Sequence, residues 1–252
     1  MLDIATRLAL GPLLVAQATR LRRTAIELPE PRGPRRGVAG RGALVLRLLV
    51  AGDSSAAGVG ARTQREALAG PLAQRLAHRL GGTVRWQLVA AAGLTSEGVL
   101  RRLIRARPQP ADIAVVIVGV NDITKDVPLA FALRHRQHIA DWLQVHVGVR
   151  HVAFPALPEM EIFPAVPRPL AWYAGQAARR NNRAQARWAS RQAAVSHIEM
   201  GGIARADLFS ADGFHPAPAL YARVADQLAL HIAGLASAGD GPATPGFTTE
   251  ST

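Results

Sequence analysis

The chain contains no cysteine. Disulfide cross-links, thiolate nucleophiles and cysteine-ligated zinc are therefore excluded. Lysine is almost as scarce. Lys125 is the only one, so the formal net charge of +12 is carried by arginine. Aromatic residues make up only 5% of the chain. No basic stretch is interleaved with them and no nucleic-acid motif is present, so nothing points to a nucleic-acid groove. The charge reads as a solvated, arginine-rich surface, with an anionic phospholipid surface as the other reading. No run is long and apolar enough to span a bilayer. Against these absences stand 252 residues that are 49% hydrophobic, enough for a full core in one globular unit.

The N-terminal stretch, residues 1–23, admits three readings. Leu8 to Ala16 could form a short signal core, with Ala16-Gln17-Ala18 as a cleavage site. An amphipathic helix followed by Arg20, Arg22 and Arg23 could lie on an anionic membrane. The third reading is a helix packed on the body of the protein. Residues 24–42, rich in Pro, Gly and Arg, read as an extended connector. Residues 1–42 thus form an N-terminal segment, 43–235 the folded domain, and 236–252 a disordered tail. The expected compartment is cytoplasmic, peripheral to the membrane if the second reading holds, with an exported form left open.

From Leu44 the pattern alternates. Apolar runs at 44–50, 84–90, 113–118, 150–154 and 195–199 read as strands. Helical periodicity fills 64–80, 96–106, 128–147, 170–194 and 217–235. Residues 155–169 carry too many prolines for regular structure and form a loop at a strand's carboxyl end. The expectation is an α/β fold with five parallel strands and helices on both faces.

The stretch that organises the chain is Leu44 to Gly60. An apolar strand ends in Gly52-Asp53-Ser54 and is followed by small residues. A serine just past a strand's carboxyl end lies where open α/β sheets hold their ligands. Gly119-Val120-Asn121-Asp122 likewise follows an apolar run, and Asp212-Gly213-Phe214-His215 precedes the last helix. Together they supply a hydroxyl, a carboxamide, an imidazole and a carboxylate, the groups that serine acyl transfer uses.

With those blocks in that order, the chain resembles the SGNH, or GDSL-type, serine hydrolases from about Leu44 to Leu235. Gly93, in Ala91-Ala92-Gly93-Leu94-Thr95, stands in the second block. The resemblance implies a three-layer flavodoxin-like fold, cleavage of acyl esters, and no metal or other cofactor. It implies Ser54 as nucleophile, His215 as base and Asp212 as the group that orients the imidazole. It also implies an oxyanion hole from the N–H groups of Ser54 and Gly93 and the Asn121 side chain. Where the family usually has an asparagine two residues before the second-block glycine, this chain has Ala91. The donor needed from this block is a backbone N–H, so activity is expected to survive, and the departure bears on how rigidly the Gly93 turn is held. The G-x-S-x-G elbow of the other large α/β hydrolase class is absent, because position 56 is Ala.

Leu157, Met160 and Phe163 on the 155–169 loop are candidates for an acyl pocket, which Trp172 and Tyr173 would extend. The expected partner is a small-molecule or lipid acyl ester, with no nucleic acid. Alternatives are a carbohydrate deacetylase on the same fold and a non-catalytic membrane-surface protein. Asp207 is a rival orienter of His215. His135 and His138, with Asp141 nearby, stand at metal-ligand spacing, but Arg134, Arg136 and Gln137 around them read as a solvated face.

Overall fold

A computed structural model describes residues 4–238. The helix α1 (Ile4–Thr24) is followed by the short strand β1 (Arg36–Ala39) and the long strand β2 (Leu44–Gly52). Then come α2 (Ser54–Ala57), α3 (Ala69–Leu80), β3 (Thr83–Ala90), α4 (Ser96–Ala106), β4 (Ile113–Ile117) and α5 (Val120–Thr124). The chain continues through α6 (Leu129–Val147), β5 (His151–Pro155), α7 (Leu170–Ala189), β6 (Val195–Ile198) and α8 (Pro218–Ala238). Of the tail read above as disordered, residues 236–238 instead continue α8, and the rest, from 239 onward, lies outside the described residues.

The strands form one sheet in the order β1-β3-β2-β4-β5-β6. Five of them run parallel, and β1 adds antiparallel to the β3 edge with Arg36 opposite Gln87 and Ala39 opposite Val84. The sheet therefore has six strands, not five. The extra one comes from the stretch expected to be a plain connector, where only four residues, Arg-Gly-Val-Ala, satisfy an edge. The proline-rich 155–169 loop likewise holds one 3-10 turn, Met160–Ile162.

The β2 and β4 strands are almost continuously apolar because helices cover both faces, whereas β3 carries Thr83, Arg85 and Gln87 at alternate, less buried positions. One core packs α3 and α8 onto Leu46, Leu48, Val50 and Val115; the other packs α4 and α6 onto Leu49, Ala51, Val116 and Val152. Alternate residues of β2 thus serve opposite faces, as the two-residue period demands. A third cluster, around Leu157, Met160, Phe163 and Val166, fixes the 155–169 loop against α7.

The helix α1 meets the same region. Its Gln17 donates to Arg168 O and accepts from the Leu170 N–H, Arg22 donates to Thr124 O, and Leu21 packs on the third cluster. No described helix is long and apolar enough to cross a membrane.

Strand order fixes the site. From β2 the chain steps to β3 on one side, then returns to β4 on the other. The carboxyl ends of β2 and β4 flank the reversal, where doubly wound sheets open a crevice. Ser54 follows β2 and Asn121 follows β4.

Candidate active site

The turn out of β2 is possible only with glycine. Gly52 sits at φ +149°, and a Cβ there would lie 2.0 Å from Ile117 O of β4. Asp53 then caps α2: its Oδ1 accepts the Ser55 N–H at 3.0 Å, which fixes Ser54 at the helix start. Asp53 is fully buried. Burial pushes its carboxyl up to about 7, and the Asp122 charge adds to the rise.

The loop before α8 is closed on itself. Ser210 N–H donates to His215 O at 2.8 Å, Gly213 N–H donates to Ser210 O at 2.8 Å, and Phe209 bridges Pro216. The Asp212 carboxylate accepts three bonds within it. Its Oδ1 takes the backbone N–H of Phe214 and of His215, each at 3.0 Å, and its Oδ2 lies 2.5 Å from His215 Nδ1. Burial alone would raise this carboxyl. The bonds from His215 and from the two backbone amides outweigh it, so Asp212 titrates below the usual carboxylate range.

On the other side of the ring, His215 Nε2 lies 2.8 Å from Ser54 Oγ, across 161 residues of sequence. A carboxylate on Nδ1 selects the tautomer with its proton there, which leaves Nε2 free to accept the serine proton. The rival, Asp207, is instead paired with Arg205 on the surface.

The second and third blocks meet around one turn. Gly93 adopts φ +75°. Three successive residues of its turn are held by side chains from elsewhere. Glu30 Oε1 accepts the Ala92 N–H at 2.8 Å, Lys125 Nζ donates to Gly93 O at 2.7 Å, and Asn121 Nδ2 donates to Leu94 O at 3.1 Å. The chain's single lysine and Glu30 thus replace the support that Ala91 does not give. A carboxamide has two N–H donors. One of Asn121's is used on Leu94 O, and the other faces a long 3.5 Å contact with Asp53 Oδ2. Among the described residues, no hydrogen bond engages the N–H of Ser54 or of Gly93.

A cavity of about 430 Å³ opens beside Ser54 and Asn121. Its wall is mainly apolar, with Leu157, Ile162, Phe163, Phe214, Leu220 and Val224 among the lining. Phe163 packs at a tilt on Phe209 at 4.8 Å and edge-to-face on Phe214 at 5.1 Å, so the 155–169 loop leans on the loop that carries His215. Two of the three expected pocket residues, Leu157 and Phe163, face this space. Met160 does not: it is buried in the third cluster, where the 3-10 turn points it inward. Trp172 and Tyr173 are also absent from the lining.

His135 and His138 make only an edge-on ring contact on α6. No group of three or more potential metal ligands exists among the described residues. The same helix corrects one expectation. Arg136, read as part of a solvated face, is 0% exposed. Its position was readable: Ala132, Arg136, Ile139, Ala140 and Leu143 recur at helical spacing on one buried stripe.

A family model for the GDSL-like lipase/acylhydrolase family matches residues 50–223. The chain belongs to that family, a family of carboxylic ester hydrolases. A GDSL-like esterase of Mycobacterium tuberculosis is 30% identical over 196 residues, covering 74% of this chain and 62% of that protein. The chain therefore spans under two thirds of that relative's length.

Solved structures share the fold. A putative arylesterase from Agrobacterium tumefaciens has 18% identity and a TM-score of 0.58, covering 74% of this chain and 97% of that one. A carbohydrate acetylesterase from Sinorhizobium meliloti has 17% identity and a TM-score of 0.56, covering 75% and 99%. An aryl esterase from M. smegmatis has 16% identity and a TM-score of 0.58, covering 75% and 99%.

Proposed function

We propose that this protein hydrolyses carboxylic esters with an apolar acyl group, through an acyl-enzyme on Ser54. The reading rests above all on one observation: His215 lies within hydrogen-bond reach of Ser54 on one ring nitrogen and of Asp212 on the other.

In this mechanism Ser54 Oγ attacks the ester carbonyl as His215 Nε2 takes its proton. Asp212 steadies the imidazolium that forms. The carbonyl oxygen gains negative charge and is met by the N–H groups of Ser54 and Gly93 and the second N–H of Asn121. His215 then gives its proton to the departing alkoxide, and the carbonyl re-forms as the acyl-enzyme. Water, deprotonated by the same imidazole, attacks the acyl carbonyl. The acid leaves, and Ser54 recovers its proton.

The apolar wall favours a longer acyl chain over acetyl, since each buried methylene gains about 0.8 kcal/mol. This separates the reading from deacetylation of a sugar. The test is a p-nitrophenyl ester series assayed with wild type and Ser54→Ala. Octanoate should be cleaved with higher kcat/KM than acetate, and Ser54→Ala should lose about 10⁵-fold or more in kcat on both. A Ser54→Ala variant that keeps most of its activity removes Ser54 from the mechanism. A preference for acetate removes the long-chain reading.

A further inference from the structure

Behind the oxyanion side of the site lies a charged network that the mechanism above does not use. Arg136 and Asp122, 0% and 1% exposed in their side chains, form an ion pair at 3.3 Å. A buried pair of this kind is no evidence of stability, because removing two charges from water costs about what their attraction returns. Its other bonds show what it joins.

Asp122 directly follows Asn121. Its two oxygens accept the Ser96 N–H at 2.9 Å and the Ser96 hydroxyl at 2.5 Å. Ser96 opens α4, three residues after Gly93. The loop that carries Asn121 and the loop that carries Gly93 are therefore tied together through Asp122 and Ser96. Arg136 locks the tie. Its Nε faces Ser96 Oγ at 3.4 Å, its Nη1 donates to Gln185 Oε1 at 2.8 Å, and its Nη2 donates to Asn181 Oδ1 at 3.2 Å. Gln185 in turn donates to Phe154 O and Pro155 O at the end of β5. The planar fork of an arginine reaches these partners from one rigid group, which a lysine cannot do.

Gly119 makes room for that fork. A Cβ at this position would lie 2.6 Å from Arg136 Nη2. The glycine of the third block thus lets the guanidinium close on the turn that leads to Asn121.

We propose that Arg136 is a positioning residue of the oxyanion hole, clamping the Asn121 and Gly93 loops through Asp122 and Ser96. The proposal rests on the acyl-enzyme reading above. Arg136 touches no substrate. It fixes the spacing of donors that act only when the carbonyl oxygen becomes charged, so its loss should appear in kcat and not in substrate binding.

The experiment compares wild type with Arg136→Met, Arg136→Lys and Ser96→Ala. Each folded variant is measured for kcat and KM on p-nitrophenyl octanoate. Each is also titrated with an arylboronic acid, which forms a tetrahedral adduct on an active serine, and with octanoate, the product acid. Arg136→Met should lose about tenfold to a hundredfold in kcat, as small misplacements of catalytic groups do. Boronate affinity should fall by the same factor as kcat/KM, while KM and octanoate affinity stay within about twofold. Arg136→Lys and Ser96→Ala should lose less, in the same pattern. Ser96→Ala keeps the backbone N–H on Asp122, so it carries the test if Arg136→Met does not fold.

Wild-type kcat and boronate affinity in the folded variants would overturn the proposal alone. So would losses in octanoate affinity as large as those in boronate affinity. Activity and boronate binding that survive Ser54→Ala would overturn the acyl-enzyme reading, and the proposal with it.

Discussion

The two sides of the proposed active site are built differently. On the side proposed for proton transfer, Asp212, His215 and Ser54 form a short hydrogen-bonded chain at the edge of the cavity, and the His215 side chain keeps 19% of its exposure. On the side proposed to hold the oxyanion, Asn121 and Gly93 are set by partners at two depths. Asp122, Ser96 and Arg136 are fully buried beneath them, while Lys125 holds Gly93 from the surface. In the proposed mechanism a proton must enter and leave the first side, which suits a base that stays near solvent. The second side moves nothing and only has to keep its geometry. That allows a dry frame, in which each polar contact is stronger and any unpaired group is costly.

The comparison breaks first at Asn121. Asn121→Ala removes a donor and its bond to Leu94 O, and should cost about 10² to 10³ in kcat with little change in KM. Steady-state kinetics on a p-nitrophenyl ester checks this. A rise in KM with kcat unchanged would move Asn121 from the proposed oxyanion hole to the ground-state pocket.

Lys125 tests the exposed half of the frame. Lys125→Met removes only the bond to Gly93 O, which Glu30 and Asn121 flank with their own. A loss of about threefold to tenfold in kcat is expected, smaller than for any buried member, because exposed polar contacts are worth little. An effect as large as that of Arg136→Met would erase the distinction between the two depths.

The smallest effect expected is on stability, far from the chemistry. His151, His197 and His231 each titrate below the usual histidine value, chiefly because burial disfavours their charge. Among them only His151 has a buried ring nitrogen, Nε2, with no partner among the described residues. A folded state that resists protonation loses stability as pH falls below the unfolded value near 6.5. The contribution of these histidines therefore holds steady above about pH 7 and declines from about 6.5 downward. Asp53 contributes in the opposite direction, because its buried carboxyl, raised to about 7, takes up its proton more readily folded than unfolded. His151→Phe should flatten part of the histidine decline. A difference in melting temperature between wild type and His151→Phe that stays constant as pH falls through this window would contradict the burial argument for His151.

The blocks legible in the sequence account for one side of the proposed site better than for the other. The serine, imidazole, carboxylate and carboxamide all lie in short blocks after strands, and α4 was placed to the residue at Ser96–Ala106. Strand ends gather on one sheet edge, so block order was enough to bring the groups together. The buried frame was not legible in that way. Arg136 stands among Arg134, His135 and Gln137, and composition of that kind reads as surface. The helical period put it inside, but charge argued the other way, and only Asp122, Asn181 and Gln185 from other elements resolve the conflict. β1 was missed because four residues of a Gly- and Arg-rich stretch carry no period; pairing with β3 makes it a strand. Met160 lies in the third cluster and not on the cavity wall, and apolar character on a loop does not say which side of the loop it faces.

The central claim is that Ser54 is a nucleophile activated across the fold by His215. Treating the protein with a fluorophosphonate and mapping the adduct by peptide mass analysis tests it most directly. The expected result is a single adduct on the peptide containing Ser54, lost in His215→Gln. An adduct on another serine, or equal labelling of Ser54 without His215, would contradict the account.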